Sequence, residues 1–326
     1  MGQASRVLIM GGAGYVGSHV VRELRSHGIA CVVADNLVYG HREALPEDVP
    51  FVRADLLDPA SLASLFGRYE FDAVMHFAAF TYVGESVQDP RRYYRNNVTG
   101  TLNLLDAMLD HRVRKIVFSS TCAVYGNPCR LPLDETHPQT PISPYGWSKL
   151  MIERALADYG AAYGLRYLAL RYFNAAGAAS DGGIGESHAP ETHLIPLVME
   201  AMRGKRARIR IFGTDYDTPD GTCLRDYIHV EDLASAHRLG LEKLDTFSGF
   251  LNLGTGRPLS VREVIAAAEG VSGCSCPVEI GERRDGDPAA LYAATDRARE
   301  ILGWTPRRSV EDIVSSAWQW ECARRF

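Results

Sequence analysis

Residues 7–24 read VLIMGGAGYVGSHVVREL. Val7 to Met10 is a continuous apolar run, Gly11, Gly12 and Gly14 follow at once, and from Val16 the apolar positions recur at helical spacing with Gly17 among them. A strand that turns through glycines straight into a helix leaves open backbone N–H groups at the helix N-terminus. It also lets the main chain come close to an anion there, as a dinucleotide pyrophosphate requires. The next apolar run closes on Asp35 in VVADNL. A carboxylate at that point can accept both hydroxyls of an adenine ribose and repels the extra phosphate of NADP, so the expected cofactor is NAD. Asp55, at the end of the third run in VRADLLD, either reaches the adenine or caps the helix that follows; the residues leave both open.

Outward from this turn, short β-branched runs alternate with amphipathic stretches. The runs are Arg6–Met10, Ala30–Ala34, Phe51–Ala54, Ala73–Phe77, Lys115–Phe118 and Tyr167–Tyr172. Helical periodicity covers Val16–His27, Pro59–Arg68, Arg92–Asp110 and Pro144–Tyr163. Strands that are apolar throughout are buried on both faces, the mark of a parallel sheet between two helical layers. The class is therefore α/β, with a doubly wound parallel (Rossmann-type) sheet. After residue 173 the rhythm loosens into NAAGAASDGGIGESHAPETH and later loops, with helices expected over Leu194–Arg203, Val230–Lys243 and Val261–Gly270 and strands at Ile209–Phe212 and Phe250–Leu253. This predicts an NAD-binding domain over 1–173 and a smaller, loop-rich C-terminal substrate domain over 174–326. Elements at about 226–255 are expected to return to the first domain.

The chain has 326 residues, a net charge of −5 and 23% charged residues, which gives no electrostatic footprint for nucleic acid or an anionic membrane surface. No apolar run approaches a membrane span. MGQASRVLIM leaves no room for a signal peptide ahead of the glycine turn. The seven cysteines form no paired CxxC units, so no metal is expected from them, and free thiols point to a reducing, cytoplasmic setting.

Two further stretches carry chemistry. FSSTCAVYG (118–126) delivers Ser119, Ser120 and Thr121 at a strand end, where hydroxyls serve as a cap or touch a ligand. SPYGWSKLMIE (143–153) sets Tyr145 and Lys149 four apart, on one face of a helix. A phenol with a pKa of about 10 is a poor base at neutral pH, but a neighbouring ammonium favours its phenolate. The chain contains only four lysines (115, 149, 205 and 243), so a chance Tyr-x-x-x-Lys is expected only about 0.2 times.

Together with GGAGYVGSH, DNL, HFAA, VGES, NNVTGT, RYFNAAGA, FGTDYDTPDGTCLRDYIHV, NLGTG and RRDGDP, these residues make the chain resemble the extended short-chain dehydrogenase/reductases, in particular those that invert C4 of UDP-sugars. The resemblance implies NAD-dependent conversion of UDP-glucose to UDP-galactose through a 4-keto sugar, in a homodimer built on two helices per subunit, the one after Asn96-Asn97 and the one carrying Tyr145. It makes Tyr145 the acid/base, Thr121 its partner and Lys149 the holder of the nicotinamide ribose. Cofactor contacts are then implied at Gly11, Gly14, Tyr15, Val16 and Gly17, and at Asp35, Asn36, Asp55 and Leu56. Phe77, Ala78, Ala79, Asn96, Ser119 and Tyr172 complete that set. For the substrate, the resemblance implies Thr121, Tyr145, Asn174, His193, Leu194 and Phe212. Arg225 and Arg284 are implied at the diphosphate, which suits their charge and donor geometry, with Asp287 and Leu291 beside them.

Three positions depart from the family pattern. Thr81 replaces a lysine near the cofactor, His193 an asparagine, and Leu291 stands where strict hexose enzymes often have tyrosine and N-acetyl-accepting ones a small residue. UDP-glucose and UDP-galactose are the expected pair, with N-acetylhexosamine and pentose analogues open. A dehydratase or decarboxylase needs a further acid and base after the strand-end hydroxyl, where Cys122 and Ala123 stand. A catalytically silent NAD-binding protein would have no need of both Tyr145 and Lys149.

Overall fold

The structure is a computed structural model and describes residues 6–284 and 286–326. Residues 1–5, on which the reading of the N-terminus partly rests, and Asp285 of RRDGDP lie outside it.

The sheet forms because successive residues of each strand are apolar on both faces. Strands β1 (Arg6–Met10), β2 (Ala30–Asp35), β3 (Phe51–Arg53), β4 (Ala73–His76), β5 (Lys115–Thr121) and β6 (Arg166–Tyr172) pair in parallel. In β1 and β2, Val7, Ile9 and Val33 face one core, shared with Val20, Leu24 and Leu233. Leu8, Met10 and Val32 face the other, with Leu62, Leu104 and Ile152. Fully burying such a side chain stabilises by roughly 1.5–3 kcal/mol, so a one-residue slip would exchange the two faces of every strand. The strand order is β11-β6-β5-β4-β1-β2-β3, with β11 (Gly249–Leu253) joining the β6 edge in parallel. The order reverses between β1 and β4, and a crevice at the carboxyl ends of the strands opens there.

Three helices flank one face: α2 (Pro59–Arg68), α5 (Gly100–Asp110) and α6 (Pro144–Tyr163). The other face is covered by α1 (Tyr15–Ser26) and α8 (Val230–Lys243). The stretch expected as one helix from Arg92 to Asp110 is helical throughout, but it is not uniformly α-helical. A short α4 (Pro90–Tyr93), preceded by α3 (Val83–Gln88), runs into a π-helical turn over Tyr94–Thr99 before α5 begins. The wider turn brings Asn96 and Asn97 inward. Asn97 accepts from the Phe80 N–H and donates to the Phe80 carbonyl and to Ser148 Oγ, binding this turn to α6. The fifth strand also runs longer than expected, to Thr121 rather than Phe118. Its hydroxyls therefore lie in the sheet, where Ser119 to Thr121 pair with Leu170 to Tyr172.

The remaining elements are β7 (Asn174–Ala176), α7 (Leu194–Met202), β8 (Ile209–Phe212), β9 (Leu224–Arg225), β10 (Tyr227–His229), β12 (Leu259–Ser260), α9 (Val261–Ser272), β13 (Val278–Gly281), β14 (Ala290–Leu291), α10 (Asp296–Leu302) and α11 (Val310–Ala323). They form small sheets, β10-β7, β12-β9-β14 and β13-β8, around a separate core of Ile195, Val198, Ile211, Val264 and Val314.

One buried ion pair ties α6 to the sheet. Arg171 Nε and Nη2 donate to Glu153 Oε1 and Oε2 at 2.9 and 2.6 Å, and the two side chains are 0% and 1% exposed. Ser120 Oγ donates to the same carboxylate, and Arg171 Nη1 donates to the Tyr125 hydroxyl, which donates on to Asn252 Oδ1 in β11. Arg171→Met alone is expected to cost about 3–5 kcal/mol of unfolding free energy in urea, because it strands a buried carboxylate. The double variant Arg171→Met/Glu153→Leu should lose less than the sum of the two single changes.

Candidate active site

The turn between β1 and α1 is shaped for close approach. Gly11 has φ +80°, and a Cβ there would lie 2.3 Å from the Ala78 nitrogen; at Gly17 it would lie 2.4 Å from the Gly11 carbonyl oxygen. Gly14 caps α1 without a side-chain acceptor, so the N–H groups of the first turn stay open to an anion. Asp35 closes β2 beneath this turn, accepting from Ala13 N–H and Leu37 N–H at 3.0 and 2.8 Å. Burial raises its pKa, and those two N–H donors oppose the rise. Asn36 donates to Asp55, whose other oxygen accepts from Leu57 N–H. The cap of α2 is Asp58, so Asp55 does not serve as one. Phe77, Ala78 and Ala79 follow β4, with Phe77 and Ala78 N–H both bonded to the Met10 carbonyl, and Asn96 lies in the π-turn. These residues gather around the bare helix end, where close backbone approach and open N–H groups suit a dinucleotide pyrophosphate.

Tyr145, Lys149 and Glu153 occupy one face of α6 at steps of four, all buried. Lys149 Nζ donates to the Ser119 carbonyl at 2.8 Å and lies 6.0 Å from the centre of the Tyr145 ring. Ser119 Oγ and the Tyr172 hydroxyl share a 2.6 Å hydrogen bond. Burial pulls the Lys149 ammonium down to about 7, against the pull of Glu153, which raises it. Burial also drives the Tyr145 phenol well above its usual range; Tyr172 adds to this, and the Thr121 hydroxyl works the other way. Desolvation dominates both groups, so in the protein alone neither favours its charged form; the expectation that Lys149, helped by the positive nicotinamide ring, favours phenolate concerns the cofactor-bound site.

Thr121 Oγ1 accepts from Ala123 N–H at 3.1 Å, so it does cap the short turn Cys122–Val124, and its proton remains free to donate. Cys122, at the position an elimination acid would occupy, is a half-buried thiol pushed up to about 12 by desolvation.

The substrate candidates fall into three groups. Arg225 donates to Asp287 at 3.3 Å and to the Leu224 and Pro288 carbonyls, and pairs in register with Leu291. Leu291 and Cys122 both pack against the small core that holds Phe173, and Asn174 donates to the Asp226 carbonyl. Arg284 lies 3.8 Å over the Phe212 ring. His193, ahead of Leu194 at the start of α7, contacts Glu186. Glu153, Arg171, Asn97 and Ser148 escaped the sequence reading. The first carries a signal, since Glu153 continues the Tyr-x-x-x-Lys spacing by another four.

A family model described as the NAD dependent epimerase/dehydratase family matches residues 7–254. A UDP-glucose 4-epimerase of Halalkalibacterium halodurans is 51% identical over 317 residues, 96% of this chain and 95% of that protein. The crystal structure of the UDP-glucose 4-epimerase from Brucella ovis in complex with NAD is 52% identical, with a TM-score of 0.94, over 97% of this chain and 98% of that one. The enzyme of that name from Bifidobacterium longum, in complex with NAD+ and UDP, is 38% identical with a TM-score of 0.93 over 98% and 99% of the two chains.

If burial sets the Lys149 pKa, stability must respond to pH. Its folded value of about 7 lies below the unfolded one, so between the two the unfolded chain binds the extra proton and stability rises with pH. In NAD-free protein, Lys149→Met should gain stability over the wild type at pH 7, with the gain shrinking toward pH 10 in urea melts.

Proposed function

The chain belongs to the NAD dependent epimerase/dehydratase family, and we propose that it interconverts UDP-glucose and UDP-galactose by inverting C4, with Tyr145 as the acid/base. The observation that supports this most is the buried file Tyr145–Lys149–Glu153 set against the hydroxyls of β5 beside the glycine cradle. Tyr145 takes the proton of the 4-hydroxyl and later returns it, while Thr121 bridges the two oxygens. Lys149 holds the nicotinamide ribose and contributes one positive charge toward phenolate. NAD, when bound, supplies the positive ring and the carrier that removes hydride from C4 and returns it to the opposite face of the 4-keto sugar. No net redox occurs, so the cofactor can stay in place, gripped through Gly11, Gly14, Tyr15, Val16, Gly17 and Asp35. The remaining cofactor contacts are those named from the sequence.

Inversion requires the keto sugar to turn over, and the anchor must therefore lie away from C4. Arg225 and Arg284 take the diphosphate, Phe212 and Asp287 the nucleotide end, and Asn174, His193, Leu194 and Leu291 the space between. Residues 174–326 are then the substrate region, with 226–255 belonging to the NAD-binding unit. Among the described residues no helix is long and apolar enough to cross a membrane. The protein works in the cytoplasm as a homodimer. Exposed Trp147 and Met151 on α6 support such an interface. Elimination chemistry is not favoured, because Cys122 and Ala123 provide neither acid nor base.

Incubation with UDP-glucose should give UDP-galactose, resolved by chromatography and unchanged in mass. Tyr145→Phe should lower kcat by about 10²–10⁴-fold with NAD still bound; a variant with full activity would overturn the role of the phenol. Leu291→Tyr should narrow the pocket and cut turnover of UDP-N-acetylglucosamine relative to UDP-glucose by about tenfold or more. Equal wild-type rates on those two sugars would overturn the hexose preference.

A further inference from the structure

Glu186, His188, Glu191 and His193 converge in the segment just before α7, each with a ligand-type atom within 4.8 Å of all the others. The two carboxylates are almost wholly enclosed, His188 nearly so, and His193 is half exposed. His188 Nδ1 lies 3.1 Å from Glu186 Oε1 and 3.7 Å from Glu191 Oε2. His193 Nδ1 lies 3.8 Å from Glu191 Oε1 and touches Glu186 Oε1 directly. Donor atoms bound at about 2.0–2.2 Å to a tetrahedral ion stand about 3.3–3.6 Å apart, so three of these four separations are close to those around a shared cation.

One nitrogen of the cluster lacks a well-formed hydrogen bond. His188 Nδ1 is closed off from solvent and has no hydrogen-bond partner, although a carboxylate oxygen is near. The groups around it are held by others, as metal ligands commonly are. Glu191 Oε1 accepts from the Thr192 and His193 N–H groups at 2.7 and 2.9 Å, and Trp320 Nε1 donates to the Glu186 carbonyl at 2.8 Å. His188 makes edge contacts with Tyr15 and Tyr82. Without an ion, the two carboxylates raise both imidazoles and the charges pair among themselves; with the imidazoles neutral, as ligation requires, the set carries −2, which a divalent cation would cancel. A mixed nitrogen and oxygen set of this kind suits zinc-class ions better than magnesium or calcium, which take oxygen ligands.

We propose that Glu186, His188, Glu191 and His193 form a binding site for one divalent transition-metal ion of the zinc class. The ion would fasten the loop ahead of α7 beside Tyr15 and the start of α1. No metal was expected from the cysteine spacing; the spacing Glu-x-His-x-x-Glu-x-His over 186–193 carries the signal instead.

The test uses the full chain, stripped with a chelator, exchanged into metal-free buffer and titrated with cobalt chloride or zinc chloride. The expected result is about one equivalent of cobalt per chain with the visible bands of a tetrahedral ion, displaced by zinc, and a higher thermal midpoint on adding zinc. His188→Gln and Glu191→Gln should weaken cobalt binding at least tenfold and remove the bands. His193→Asn, at the half-exposed position, does the same in a variant whose folding is least at risk. Failure of the wild type to take up either ion at micromolar concentration, or bands of full strength in all three variants, overturns the site.

Discussion

Glu153 and Arg171 meet where water does not reach, between α6 and the sheet, with both oxygens and three guanidinium nitrogens satisfied. A pair this deep adds little net stability over an apolar replacement, but it is costly to break and demands one geometry. That geometry is what the site uses. Glu153 holds the third turn of a helix face whose first two turns carry Tyr145 and Lys149, and Ser120 pins the same carboxylate to the strand that carries Ser119 and Thr121. Because the buried side of α6 includes Tyr145, Ser148, Lys149 and Glu153 among its apolar residues, a hydrophobic stripe alone could not set its rotation.

The same economy recurs on the cofactor side. Asp35, the residue proposed for the ribose, also closes the glycine turn through Ala13 and Leu37. Thr121 both caps the turn after β5 and keeps its proton available. Asn97 holds the β4 loop and α6 together through a single amide. At the carboxyl edge of a parallel sheet, backbone groups run out of ladder partners, so side chains placed for chemistry also complete the fold.

The strands and most of the helices of the first half were legible because two-sided burial writes itself as unbroken apolar runs. The glycine turn and the Tyr145–Lys149 pair were legible because their chemistry depends on local spacing. The π-helical widening of the helix before α5 was not, since it goes with contacts between Asn97 and residues distant in sequence, Phe80 and Ser148. Nor was the extension of β5 to Thr121, because hydroxyl residues carry no strand signal until Leu170 to Tyr172 pair beside them.

By itself, the sequence determined the parallel sheet, the glycine turn that closes on Asp35 and the placing of Tyr145 and Lys149 on one helix face, all matters of local pattern and residue chemistry. Only the tertiary structure decided that burial leaves Tyr145 and Lys149 both disfavouring charge, that Glu153 and Arg171 orient them, and that Arg225, Asp287 and Leu291 gather beside Cys122. It also decided that two glutamates and two histidines close on one point ahead of α7. A charge's cost depends on which neighbours exclude water from it, and those neighbours come from strands and loops that the chain brings together only when folded.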